Sequence, residues 1–227
     1  MGSMLVVSET VVSRDLPRRR LWAEFLGFFL VLPVSVAVLL PATAMFPVLF
    51  FSTMIGIVLL HLTPGFRWRD LLRGWHGIDW RAVAVFALIA TAVSLAVLLA
   101  MRPEAFLMVF RLDPWLWLAI MVFYPLVSAL PQEIVFRPLF FRRYGAILPP
   151  ARAALVLNAA FFSLAHLLYW NWIVATMTFA GGLVFAWAYE ERRSFPMAVI
   201  LHAIAGNILF TVGMGVFFYS GNVVRPF

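Results

Sequence analysis

Seven stretches of this chain each come close to the ~20 apolar residues that cross a bilayer, which leaves it few ways to fold. In hydrocarbon every backbone N–H and C=O must find its partner inside the protein, and a run of continuous apolar segments meets that demand as helices. The spans fall at about Leu21–Leu40, Met45–Leu62, Ala82–Met101, Trp115–Phe136, Ala154–Trp170, Trp172–Tyr189 and Pro196–Phe218. The expected fold is an all-α polytopic membrane bundle of about seven helices, or eight with a re-entrant or interfacial segment. Composition agrees: 64% of the 227 residues are hydrophobic and 12% charged, against about 45–50% and about 25% in soluble domains. The organisation reads as an amino-terminal segment (1–20), a first group of spans (21–114), a second group (115–219) and a short tail (220–227).

All 17 basic residues are arginine, and cysteine is absent. Lysine and cysteine nucleophiles, disulfides and thiolate metal sites are thereby excluded. A net charge of +7 could suit nucleic acid, but the arginines are dispersed between apolar spans and form no basic face, so no nucleic-acid partner is expected. They read as topology signals. With the amino terminus inside, Arg14, Arg18, Arg19, Arg20, Arg67, Arg69, Arg73, Arg81, Arg142, Arg143, Arg152, Arg192 and Arg193 are cytoplasmic. Only Arg102, Arg111 and Arg225 are then outside, as the positive-inside rule requires. The expectation is a multi-pass protein of the inner (plasma) membrane, in contact with lipids, with a cytoplasmic amino terminus. The first span is too long for a cleavable signal, and Met1-Gly2-Ser3-Met4 reads as a leader before a native Met4. Between Arg67 and Arg81, arginines alternate with Phe66, Trp68, Trp75 and Trp80, the pattern of an interfacial amphipathic segment that anchors at the lipid surface.

The chemistry lies in three polar constellations inside the second group: Gln132-Glu133 with Arg137, Phe162 with His166, and His202 with Asn207. A charged side chain at bilayer depth costs roughly 2.5–3.5 kcal/mol even on the lenient insertion scale, so each is a candidate site residue. Glu133 and Arg137 are four apart and share a helix face, which allows a purely structural ion pair. A lone intramembrane histidine commonly serves as a hydrogen-bond partner between helices. Two histidines and a carboxylate on three separate spans are what activation of a water molecule requires. His61, at a helix end, and His76, in a charged loop, read as ordinary interfacial residues.

In order and spacing, Gln132-Glu133-x-x-x-Arg137, Phe162-x-x-x-His166 and His202 with Asn207 resemble the three motifs of the CPBP family, the CAAX-protease and bacteriocin-processing membrane proteins. The resemblance covers about Trp115 to Phe218. It implies an intramembrane glutamic endopeptidase of the type II CAAX prenyl endopeptidase kind, acting on membrane-associated or carboxyl-terminal protein segments. Glu133 and His166 would activate the water, His202 and Asn207 would hold the oxyanion, and Arg137 would hold the glutamate. Two positions depart from the pattern. The family has a glutamate pair whose first member is commonly the catalytic one, and Gln132 stands there; either Glu133 is the base or catalysis is impaired. Asn207 follows His202 by five residues, about 140° around a helix, with Gly206 at the usual one-turn position. A distortion at Pro131 and a bulge at Gly206 would bring these residues back to the pocket.

Straight helices put His166 deeper than Glu133 and His202, so Pro150 to Asn158 is expected to lie partly along the interface, with the pocket opening to the cytoplasm. Glu133, His166 and His202 also make a two-histidine, one-carboxylate set that suits zinc. No HExxH helix is present and Arg137 disfavours a cation, so no cofactor is the favoured expectation, with chelator sensitivity as the test. The alternative is a non-catalytic scaffold, immunity or carrier protein binding through the same pocket, for which Gln132 argues. Gly181 and Gly182 suggest close helix packing.

Overall fold

The computed structural model describes residues 16–227, and every element among them is helical. Residues 1–15, which include Arg14 and the leader-like Met1–Met4, lie outside the described residues. Seven helices are long and apolar enough to cross a membrane: Arg18–Leu39, Ala42–His61, Trp80–Met101, Pro114–Arg143, Arg152–Tyr169, Trp172–Glu190 and Phe195–Val212, numbered here as spans one to seven. The protein is thus an all-α, multi-pass membrane bundle.

Local sequence explains where the spans start. Asp79 and Asp113 accept hydrogen bonds from the Ala82 and Leu116 amides at 3.0 and 2.9 Å, capping spans three and four. Asn171 caps span six through the Ile173 amide at 2.8 Å, and Ser194 caps span seven through Met197 at 3.2 Å. These small polar acceptors satisfy donors that the first helical turn leaves without partners.

Two span ends differ from the sequence expectation. Span four continues past Phe136 to Arg143, because Arg143 finds partners inside the protein: its Nε donates to Glu24 at 2.7 Å and its Nη1 to the Leu59 carbonyl at 2.9 Å and Thr63 Oγ1 at 3.2 Å. In sequence that arginine looks like a loop residue. Span seven stops at Val212, short of Phe218, because Gly213 takes φ +115° against the Ala105 carbonyl. A side chain there would be strained and would also meet that oxygen.

Ala151–Leu164 is one unbroken helix, so no bend sets the stretch before Asn158 apart from the rest of span five. The Arg67–Arg81 segment holds only a short 3-10 turn, Trp68–Leu72, and docks on the opposite loop: Ser194 donates to the Gly74 carbonyl at 3.1 Å and Arg192 pairs with Asp79 at 3.0 Å. At the centre of the bundle, Phe25 and Phe29 of span one meet Phe140 of span four and Phe161 of span five in tilted and edge-on contacts. Spans five and six form a tight hairpin, in which a Cβ on Gly182 would lie 3.1 Å from the Ala159 Cα.

Candidate active site

Span four is wound unevenly where it carries the first motif. Pro125–Ala129 and Val135–Arg143 are π-helical, and between them Leu130–Ile134 is a single α-helical stretch. The proline expected to distort the helix was Pro131; the wide turns instead fall at Pro125 and around Pro138. Proline removes one N–H from the ladder, and an inserted π turn accommodates the loss, as is common at functional positions.

On the α-helical stretch Gln132 and Glu133 point about 100° apart and enter different environments. Gln132 faces a cavity of about 1000 Å³ whose polar lining includes Tyr124, Ser128, His166 and His202, with apolar side chains making up most of the rest. Its Nε2 donates to Ser128 Oγ at 3.0 Å. Glu133 does not line this cavity and is fully buried.

Both carboxylate oxygens of Glu133 are engaged. Arg137 Nε donates to Oε2 at 2.8 Å and Nη2 to Oε1 at 3.3 Å, while His202 Nδ1 lies 2.9 Å from Oε1. Arg137 in turn is held by Asn158, whose own Nδ2 donates to the Phe136 carbonyl at 2.7 Å. The guanidinium carbon also sits 5.3 and 5.8 Å from the ring centroids of Phe162 and Phe185. A buried ion pair is tolerable only when its remaining donors and acceptors are satisfied, and this one is. Sequence reasoning passed over Asn158, although a buried asparagine two turns before His166 in the same span was the available signal.

The two histidines come together around one ring: Phe162 lies 4.8 Å from His166 and 5.4 Å from His202, centroid to centroid. His202 also stacks on Phe185 at 4.8 Å and 12°. His166 ends up beside the others because span five leaves its α-helix at Leu164 and turns into a short 3-10 segment, Leu167–Tyr169. Its Nδ1 lies 2.7 Å from the Phe162 carbonyl. A carbonyl and a carboxylate only accept, so Nδ1 carries a proton in both rings, and in the neutral form of an imidazole so bonded the lone pair is on Nε2. Neither Nε2 has a hydrogen-bond partner among the described residues, and both rings line the cavity.

Asn207 is placed differently. Span seven is regular through Gly206, without a bulge, so Asn207 turns towards span four, donates to the Met121 carbonyl at 3.2 Å and does not line the cavity. Over Gly206, where a Cβ would fall 1.9 to 2.6 Å from its ring carbons and hydroxyl, lies Tyr124. Tyr124 is a second polar wall residue that the sequence analysis missed; the signal was the one-turn repeat Tyr124, Ser128, Gln132 along span four.

Among the described residues, no three His, Cys, Asp or Glu side chains are grouped so as to hold a metal ion. His61 accepts a bond from Trp68 Nε1 at 3.3 Å, well away from this centre in the fold.

Residues 114–218, a little under half of the chain, match the family model described as type II CAAX prenyl endopeptidase Rce1-like. The matched segment is the one on which the motif resemblance rests, and the family is the one that resemblance named. No curated protein and no solved structure matches the chain significantly.

Proposed function

We propose that the chain is an intramembrane endopeptidase of the CAAX-protease type, hydrolysing peptide bonds in membrane-associated or carboxyl-terminal protein segments, with Glu133 acting through His202. The observation that carries this is the 2.9 Å pair between the buried Glu133 and His202, whose other face lines a cavity shared with His166. A buried carboxylate that fixes a histidine's tautomer and supports its charged form makes that histidine an effective base. Water held by His166 and Gln132 gives its proton to His202 Nε2, and the hydroxide adds to the peptide carbonyl. The histidine then returns the proton to the leaving nitrogen. Arg137 and Asn158 keep Glu133 in position.

A binding protein is the second reading. What favours it is that the cavity lining carries no carboxylate, since Gln132 occupies the position facing it. The two readings separate in cells producing the unaltered chain, His202→Ala or Glu133→Gln at equal abundance. Under the proteolytic reading, mass spectrometry of membrane-protein termini finds new ends with the unaltered chain, persisting with chelator. In either variant they fall by about 10²- to 10⁴-fold, the range for loss of general base catalysis. Identical terminal profiles in all three would support the binding reading.

A further inference from the structure

Gly206 and Tyr124 form a packed pair on the cavity wall that the motif resemblance does not account for. Gly206 stands one turn after His202, and no larger residue fits there because the Tyr124 ring and hydroxyl occupy the space a Cβ would need. Tyr124 lines the same cavity as His202, its ring 6.2 Å away and edge-on. Asn207 meanwhile faces Met121.

Gln132 Nε2 donates to Ser128 Oγ at 3.0 Å, and both residues line the same cavity as Tyr124. The Tyr124 O–H is a neutral donor on that wall, beside His202.

Resting on the proteolytic reading, we infer that Tyr124 is the oxyanion donor of this enzyme, seated in the notch left by Gly206 on the cavity wall beside His202. The phenolic O–H donates to the carbonyl oxygen of the scissile bond and stabilises the negative charge that appears there as hydroxide adds. No proton leaves Tyr124 during the step. The amide nitrogen departs with the proton carried by His202, and the oxygen returns to a carbonyl.

Tyr124→Phe tests this, because it removes one oxygen and keeps the ring that fills the Gly206 notch. The protein is purified whole into liposomes, and the substrate is a peptide spanning a cleavage junction found by the mapping of termini. The expected result is a kcat lower by about 100-fold, with KM within about threefold of the unaltered enzyme, since the bond is made in the transition state. Thermal stability should stay unchanged. A kcat within about threefold of the unaltered enzyme overturns the donor role and leaves the proteolytic reading standing. A chain that yields no junction at all overturns both.

Discussion

All three guanidinium nitrogens of Arg137 donate, to Glu133, Asn158 and the Phe136 carbonyl, at zero exposure. Removing it leaves a buried carboxylate with one imidazole for company. Truncating one partner of such a pair typically costs about 3–5 kcal/mol, because the remaining charge cannot return to water. Arg137→Leu is therefore expected to lower the melting temperature in detergent by many degrees, more than Glu133→Gln, which keeps an acceptor for the guanidinium. Equal melting temperatures for the two variants would count against the network as a stabilising element. The adjacent pair Gln132 and Glu133 shows what residue-level reading could and could not supply. Their order in the chain raises the question of which one faces the pocket. Which of them faces the cavity depends on how span four is wound, and nothing in a single sequence reports that.

Helix existence was legible wherever hydropathy ran long, and each of the seven expected spans has its counterpart. Helix ends were less so. Arg143 read as loop because its three partners come from span one, span two and the turn just after span two, far away in sequence, and Gly213 was overlooked as a stop because apolar residues continue after it. The π turns at Pro125 and around Pro138 carry no hydropathy signal. Tyr124 was passed over because an aromatic in an apolar span looks like packing until its partner glycine is known. Close packing at Gly182 was anticipated. Its neighbour is backbone and cannot yield, so Gly182→Leu is expected to force spans five and six apart. Overpacking of this kind costs about 1–3 kcal/mol. The measurement is the monodisperse yield after extraction in mild detergent, where a yield equal to that of the unaltered chain would refute the tight hairpin.

At the scale of the whole molecule, lipid exposure and loop charge frame the bundle. Phe51, Leu88, Trp115 and Trp172 are among the large apolar residues left exposed on its outside, as lipid contact requires. The Arg67–Arg81 and Arg192–Arg193 loops touch through Ser194 and Asp79, so both lie at one end. We propose that this end is cytoplasmic, from the arginine bias. Because the chain has no cysteine, single replacements need no altered background. Leu112→Cys should react with a membrane-impermeant maleimide in intact cells, and Arg69→Cys only after permeabilisation. The reverse pattern would invert the topology.

The segment that matches the family begins at Pro114, yet the arginine at the end of its first helix is neutralised from outside it, by Glu24, Thr63 and the Leu59 carbonyl. Recognisable kinship and structural self-sufficiency therefore have different boundaries in this molecule. A fragment cut to the matched residues would leave that guanidinium without these partners. The first two helices are part of the bundle's foundations even though no motif runs through them.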